Sequence, residues 1–262
     1  MKGAVPDTQD QTGRTPLHQA AVRGDVDAVE LLLAGGANPN TQDAHLQTPV
    51  TLAAERGLDN VLKALVGHAG TDINLQDSFG RTPLHWCAKR CDVKGVEALL
   101  ATGRADTSVR TTGGDTALHW ACSAEGGDVS GEGNVEERSL RVTELLIAKG
   151  VDLRTKNGRG ERPLDLATDG VVRALLQSAS QELDMREEEE VAEAERRRAS
   201  TAQSRLHSGS ADSTKPSPTG AGWPGKQSPV GMGLLPKKES GSKAVIGGAK
   251  KKIVIKLKKK SP

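Results

Sequence analysis

Apolar positions in this 262-residue chain fall into short segments that return at a nearly constant interval. A typical segment places Leu17, Ala20 and Ala21 at helical spacing, and a second apolar run from Val29 to Leu33 follows after a polar break. Apolar residues three and four apart favour helices over strands. The pattern therefore predicts pairs of short helices, and since one pair buries little on its own, neighbouring pairs must stack.

A four-residue motif opens each helix pair. It reads Thr15-Pro16-Leu17-His18 in the first copy, and further copies begin at Thr48, Thr82, Thr116 and, in degraded form, Arg162. The intervals between copies are 33, 34, 34 and 46 residues. Threonine is a favoured N-cap, proline fits the first helical turn without losing an amide hydrogen bond, and the small pair that follows lets helices approach closely. Five helix pairs are predicted.

This motif and its period resemble the ankyrin repeat, as does the Asp-x-x-Gly sequence before it, from Asp10 to Gly13 in the first unit. The resemblance covers residues 8–178. It implies an all-α solenoid whose concave face, made of hairpin tips and first helices, binds a protein partner. The implied units span about 10–42, 43–76, 77–110, 111–156 and 157–178, the last a truncated cap within a repeat domain of residues 10–178.

The sequence departs from the repeat pattern at three places. Leu46 and Cys91 stand where the family usually has glycine, so we expect both residues to adopt a positive φ. Residues 123–136 are acidic and glycine-rich and interrupt the fourth unit between its two helices, so a flexible loop is predicted there.

Outside the repeats the composition changes. Residues 1–9 are predicted to be disordered. Residues 179–206 combine an acidic run with a later basic run, which favours a marginal charged helix that extends from the cap. Residues 207–262 are predicted to form a disordered basic tail that contains a short motif at 250–260.

Charge and cysteine content bear on the cellular environment. Residues 1–180 carry 19 basic and 24 acidic side chains, whereas residues 181–262 carry 17 basic and 10 acidic ones, so an acidic body precedes a basic end. Three cysteines give no disulfide framework, and no stretch is apolar enough to predict a membrane span or a signal peptide. We expect an intracellular protein, in the nucleus in preference to the cytoplasm.

Two columns of equivalent positions supply candidate partner-binding residues. Arg23, Arg56 and Arg90 end successive first helices, and the pattern is consistent with either an anion-selecting stripe or a solvated face. Trp86 and Trp120 share a second column, where either helix packing or an exposed binding hot spot is expected. The candidate concave face is completed by Glu55, Phe79, Lys89 and Arg110.

Histidine and cysteine also recur, which raises the alternative of a metal site. The resemblance makes His18, His85 and His119 structural partners of the capping threonines, while Cys87 and Cys122 fill small-residue columns. Their spacing matches no zinc module. No activated nucleophile, acid–base pair or phosphate-binding loop is recognisable, so we expect a non-catalytic protein without a cofactor or metal.

The C-terminal motif alternates lysine with aliphatic residues. As a strand, it places Ile253, Ile255 and Leu257 on one face and Val254, Lys256 and Lys258 on the other, after Lys252. The motif resembles the short basic–apolar peptides bound by the extra-terminal domain of BET bromodomain proteins, which implies strand addition to such a domain. A nuclear import signal, a nucleic-acid contact and an anionic-lipid contact are the alternatives.

Together these features predict a monomeric protein–protein interaction adaptor. Its concave face binds one protein, acidic in part, and its basic tail binds a second within a nuclear or chromatin-associated complex. The alternatives are a cytoplasmic escort or inhibitor that sequesters a client protein, and a protein recruited to the membrane surface by its lysine-rich tail.

Overall fold

The structure is a computed structural model that describes residues 6–123 and 134–208. The chain divides into two compact units between Met185 and Arg186. Every regular element within the described residues is a helix, and these are α1 Pro16–Arg23, α2 Val26–Ala34, α3 Pro49–Arg56, α4 Asp59–Gly67, α5 Pro83–Lys89, α6 Val93–Ala101, α7 Ala117–Cys122, α8 Val135–Ala148, α9 Pro163–Leu166 and α10 Gly170–Ser208. Each first helix packs against the first helix of the next pair. This arrangement confirms the predicted all-α repeat fold.

Each first helix that has both the threonine and the histidine of the motif is capped at its N-terminus by these two residues. In α1 the amide of Thr15 donates to Nδ1 of His18 at 3.1 Å. Since Nδ1 accepts this hydrogen bond, the ring proton is on Nε2, which donates to the carbonyl oxygen of Gln47 in the next repeat at 3.1 Å. His85 and His119 make the same two kinds of contact, so each of these histidines caps its helix and joins two repeats.

The second repeat lacks the histidine. Thr51 stands at this position, and its hydroxyl lies 2.9 Å from the hydroxyl of Thr48. The cap is therefore preserved within α3, as the amide of Thr51 also donates to the Thr48 hydroxyl at 3.3 Å. The threonine side chain is too short to reach the next repeat, so the histidine-mediated bond is missing where α3 meets α5.

Small and aliphatic side chains form the core. The small pairs of the first helices are buried, and they are Ala20–Ala21, Ala53–Ala54, Cys87–Ala88 and Ala121–Cys122. Leucines of the second helices, such as Leu65, Leu99 and Leu146, are fully buried. The small residues let adjacent first helices approach closely, and the leucines fill the space between helix layers. Among the described residues no Phe or Trp is fully buried in this core, and Trp86 and Trp120 pack against it while half-buried.

Two non-glycine residues occupy the left-handed backbone region. Leu46 has a φ of 57° and Cys91 a φ of 51°, and they are the only described non-glycine residues with a positive φ. The equivalent positions in other repeats are glycines such as Gly80 and Gly24, with φ of 74° and 78°. The expectation from the glycine pattern is confirmed at both residues.

The end of the predicted acidic loop requires a correction. Residues 124–133 lie outside the described residues, but Val135 and Glu136 already belong to α8. The side chain of Asn134 accepts a hydrogen bond from the amide of Glu136 at 3.3 Å and so caps the helix. Two glutamates in the first turn further favour helix formation at this end, because their charge opposes that of the helix dipole.

The N-terminal segment is more ordered than the sequence predicts. Residues 1–5 lie outside the described residues, but the carboxylate of Asp7 accepts a hydrogen bond from the amide of Asn38 at 2.9 Å. Asn40 does the same for the amide of Asp72 in the next repeat, at 2.7 Å. Asp7 therefore supplies the first loop with the acceptor that later loops obtain from the repeat before them.

The predicted boundary at residue 178 is not an element boundary, since α10 begins in the cap and continues to Ser208. Its first turns are held by apolar contacts, with Val172, Leu176 and Ala179 buried. From Arg186 to Arg198 every residue is exposed. The rest of the predicted tail, including the motif at 250–260, lies outside the described residues. No helix in the described part of the chain has the length and apolar character that crossing a bilayer requires.

Candidate protein-binding surface

Five side chains of the third and fourth repeats gather beside the first helices, and we call them the tryptophan surface. Phe79 and Arg81 come from the loop that precedes α5, Trp86 and Lys89 lie one turn apart on α5, and Trp120 lies on α7. Four of these residues were candidates from the sequence. Arg81 was not, although its place four residues after Asp77 was a usable signal for an ion pair.

The two tryptophans form the floor of this surface. Their ring centroids lie 5.9 Å apart with the ring planes at 88°, an edge-to-face arrangement. Trp120 makes a second edge-to-face contact with His85 at 5.7 Å. Both tryptophans are half-buried, so each ring is fixed by packing while part of it still faces solvent. A rigid aromatic surface loses little side-chain entropy when a partner covers it.

Two cations lie against these rings. The guanidinium carbon of Arg81 is 4.5 Å from the ring centroids of both Phe79 and Trp86. The ammonium of Lys89 is 5.3 Å from the Trp120 centroid and 5.7 Å from the Trp86 centroid. These distances fall within the range of cation–π attraction. The surface therefore combines apolar area with positive charge.

The loop that presents Phe79 is shaped by Asp77. One carboxylate oxygen of this buried residue accepts hydrogen bonds from the amides of Phe79 and Arg81, both at 2.9 Å. Its other oxygen pairs with Nε of Arg81 at 2.6 Å. These bonds fix the loop and leave the Phe79 side chain 57% exposed. An exposed phenylalanine in the middle of a fixed aromatic and cationic group is an expected contact for a partner.

Glu55 belongs to the repeat scaffold in this structure. Its carboxylate accepts a hydrogen bond from the side-chain amide of Gln47 at 2.8 Å, and the residue is half-buried. Gln47 and Glu55 occupy the positions that Arg81 and Lys89 hold in the third repeat. The two neighbouring repeats therefore present different chemistry at equivalent places.

The column of Arg23, Arg56 and Arg90, expected to be either an anion-selecting stripe or a solvated face, departs from both expectations at its third member. Arg23 and Arg56 are exposed at the ends of α1 and α3. Arg90 is half-buried, and its guanidinium lies so close to Gly57 that a Cβ atom there would be 2.6 Å from Nη2. Gly57 has no side chain, so the guanidinium can lie close to its backbone. Nε of Arg90 is buried without a hydrogen-bond partner in the described residues.

Arg110 is engaged with neighbouring loops. Its Nε donates to the carbonyl oxygen of Gly114 at 3.0 Å, and an Nη donates to the carbonyl oxygen of Lys156 in the next repeat. Gln42 and Gln76 occupy the same position in earlier repeats and make equivalent pairs of bonds. The side chain therefore acts as a cross-repeat link.

The buried histidines and cysteines are held in their neutral forms. Burial lowers the pKa of His85 to about 4 and also lowers the pKa values of His18 and His119. Burial raises the pKa of Cys122 to about 12, and it raises the pKa values of Cys87 and Cys91 as well. Within the described ranges, no three side chains of ligand type are placed to hold a metal ion.

A second exposed apolar face lies at the N-terminal end of the repeats. Leu31 of α2 is 74% exposed, and Leu32 and Ala28 beside it are half-buried. These residues line an open groove together with Gln19 and Arg23. Among the described residues, no aromatic side chain lines this groove, which distinguishes it from the tryptophan surface.

Sequence comparisons agree with this architecture. A family model for ankyrin repeats in three copies matches residues 1–77 and again residues 50–130, and a single-repeat model matches residues 113–158. The chain belongs to the ankyrin-repeat family. Ankyrin repeats are protein–protein interaction modules, so the described repeats form a module of this kind and imply a protein partner. A search of curated proteins finds no match to the chain.

Membership of the ankyrin family also explains the location of the tryptophan surface. Hairpin tips and first helices line the concave surface that such solenoids use for binding. Phe79 lies on a hairpin loop, whereas Trp86 and Trp120 lie on first helices. The Phe and Trp side chains of the described repeats therefore lie on the elements that form this surface.

Proposed function

We propose that the protein is a non-catalytic adaptor of the nucleus. It holds one protein on the tryptophan surface and a second on its basic tail, within a nuclear or chromatin-associated complex. The observation that carries this proposal is the tryptophan surface itself, in which an exposed Phe79 stands beside two fixed indole rings and two cations. Aromatic side chains and arginine dominate the energetics of protein interfaces.

The expected contribution of this surface is large enough for specific binding. Complete burial of one large apolar side chain stabilises a complex by roughly 1.5–3 kcal/mol. Phe79 is more than half exposed and both indoles are partly exposed, so a partner can cover several rings at once. Their fixed positions reduce the entropy lost on association.

The tail supplies the second contact of the proposed adaptor. Its support is the sequence, in which Ile253, Ile255 and Leu257 alternate with lysine and with Val254. An extended segment of this kind adds to a sheet edge through main-chain hydrogen bonds, while the lysines attract an acidic partner. An extra-terminal-type domain has the acidic, apolar groove that such a peptide fits.

Affinity purification with two variants of the full-length chain tests the adaptor. Phe79→Ala alters the tryptophan surface, and a triple change of Ile253, Ile255 and Leu257 to Ser alters the tail without changing its charge. We expect each variant to lose a different protein and to retain the other. Leu31→Ala, which removes an exposed leucine elsewhere, is the control and should lose neither. If both variants lose the same proteins, or if neither variant loses any protein, the proposed adaptor function is contradicted.

Localisation of the full-length chain and of a form that lacks residues 237–262 separates the alternatives. Nuclear signal in the full-length protein supports the proposal. Diffuse cytoplasmic signal in both forms would instead indicate an escort or inhibitor. Tail-dependent signal at the cell rim would indicate recruitment by anionic lipid.

A further inference from the structure

We propose that Arg81 and Lys89 bind a carboxylate side chain of an acidic protein segment at the edge of the Trp86 ring. This inference rests on the proposed function, since it assumes that the tryptophan surface receives a protein partner. It goes further because it assigns the chemistry of that partner. The segment carries an aspartate or glutamate next to an apolar residue that covers Phe79.

The two cations have hydrogen-bond donors available. Arg81 uses Nε for its bond to Asp77, and its two terminal nitrogens have no acceptor among the described residues. Lys89 is exposed and has no acidic partner among the described residues. Each cation lies within 6 Å of the Trp86 centroid, Arg81 at 4.5 Å and Lys89 at 5.7 Å. Both cations therefore lie beside the same ring, and a carboxylate that binds between them at the positive ring edge would accept hydrogen bonds from both.

The position of Arg81 is fixed before any partner arrives. Its guanidinium is stacked between Phe79 and Trp86 and paired with the buried carboxylate of Asp77. Its side chain remains 20% exposed. A fixed guanidinium binds carboxylate with less loss of entropy than a mobile one, and its planar donors match the two oxygens of the anion.

This pair of cations is specific to the third repeat. The positions of Arg81 and Lys89, eight residues apart, are occupied by Arg14 and Val22 in the first unit, Gln47 and Glu55 in the second, and Asp115 and Ser123 in the fourth. In the second repeat these two positions hold Gln47 and Glu55, which bond to each other, so neither position supplies a cation. An acidic residue of a partner is therefore directed to one repeat.

A protein carboxylate fits the surrounding charge better than a nucleic acid does. Residues 1–180 carry more acidic than basic side chains, 24 against 19, so a long polyanion meets net repulsion from the repeat body. A single carboxylate needs only the local pair of cations. The neighbouring aromatic rings then favour apolar protein side chains beside the charge.

Selection from a random-peptide phage library on the full-length chain tests the inference. We expect enriched peptides that combine an aspartate or glutamate with an adjacent apolar residue. Lys89→Glu should weaken their binding by about tenfold or more, since a charge-assisted bond is replaced by repulsion. A second selection on the Lys89→Glu chain should enrich lysine or arginine at the same peptide position.

Lys94→Glu is the matched control, because Lys94 is an exposed lysine of the same repeat on α6 and gives the same change in charge. It should leave peptide affinity within about twofold, which is the change expected from long-range electrostatics alone. Equal weakening by both variants, or peptides without acidic enrichment, would overturn the carboxylate site. A single-stranded oligonucleotide gives the nucleic-acid outcome. If it displaces the peptides from the wild-type chain and does not bind the Lys89→Glu chain, the carboxylate site is overturned in favour of a nucleic-acid site.

The two levels of the proposal fail in different ways. If Phe79→Ala weakens the selected peptides and Lys89→Glu does not, the tryptophan surface binds protein without a carboxylate site. If neither variant weakens them, the surface is not the binding site, and the proposed function fails together with the carboxylate site.

Discussion

Trp86 and Trp120 meet edge to face across the third and fourth repeats, with ring centroids 5.9 Å apart. They occupy the same position of consecutive units, 34 residues apart in the sequence, so the stacking of repeats brings them together. Arg81 and Lys89 contact Trp86 from the hairpin and from the helix. The proposed binding surface therefore combines two tryptophans of one column with two cations of the third repeat.

Replacement of Leu46 by Gly should stabilise the repeats. Leu46 has a φ of 57° and is 48% exposed, so the change relieves backbone strain and removes little packing. The free energy of unfolding should rise by about 0.5–1 kcal/mol, after allowance for the greater entropy of glycine in the unfolded chain. Denaturant melts measure this. Cys91→Gly should change the free energy of unfolding less, because Cys91 is fully buried and the packing lost with its side chain offsets the relieved strain. A lower midpoint for Leu46→Gly would show that the strain is absent.

Mild acid should destabilise the repeat domain. In the folded chain the pKa of His85 lies at about 4, below its ordinary value of 6.5, so the unfolded chain binds a proton at a pH where the folded chain does not. The free energy of unfolding should therefore fall as the pH is lowered from about 6.5 to 4, by up to about 3 kcal/mol from this residue. Burial also lowers the pKa values of His18 and His119, so both residues add to the loss of stability in acid.

Denaturant melts across this pH range check the effect of the histidines. His85→Thr reproduces the residue that the second repeat has at Thr51 and removes the titrating ring. This variant should be less stable at neutral pH and less sensitive to acid than the wild type. Equal slopes of stability against pH in the two proteins would reject the role assigned to His85.

Arg110 should matter for stability and not for partner binding. Arg110→Ala removes donors to two loop carbonyls, and the free energy of unfolding should fall by about 1 kcal/mol. Arg110→Gln restores the residue type found at Gln42 and Gln76 and should recover most of that loss. Thermal melts and partner capture measure both effects. Loss of the partner by the Gln variant with an unchanged melt would show that Arg110 contacts the partner directly.

The cysteines should be unreactive in the folded protein. All three thiols are buried, and burial raises their pKa values, so the reactive thiolate is scarce. A thiol-specific reagent at neutral pH should label the native chain very slowly and the denatured chain fully. Fast labelling of one cysteine in the native chain would indicate an opening of the stack at that residue.

The fold was predictable because the same local sequence features recur in each repeat. The threonine cap, the proline, the small pair and the glycine position fix one unit, and repetition fixes the stack. Even the two unusual backbone positions, Leu46 and Cys91, followed from the glycine that the pattern lacks there. The order at Asp7 did have a sequence signal, because Asp7, Asn40 and Asn74 lie 33 and 34 residues apart and make the same bond in successive loops.

The candidate surface was only partly predictable, because a column identifies a position and not the direction of its side chain. Arg56 and Arg90 are equivalent in sequence, yet Arg90 lies over Gly57 while Arg56 is exposed. Arg110 and Glu55 are likewise engaged within the scaffold. The role of Arg81 depends on Asp77 and on two aromatic rings at once, which becomes visible only in three dimensions.

Hydroxyl-radical footprinting of the full-length chain with and without its captured partner tests the tryptophan surface most directly. Aromatic and sulfur-containing side chains oxidise in proportion to their exposure, so Phe79, Trp86 and Trp120 report on this surface. Met185, which is 63% exposed on α10, reports on another region. We expect the partner to protect Phe79, Trp86 and Trp120 and to leave Met185 unchanged. Unchanged oxidation of all three aromatic residues in the complex would contradict the proposed binding surface.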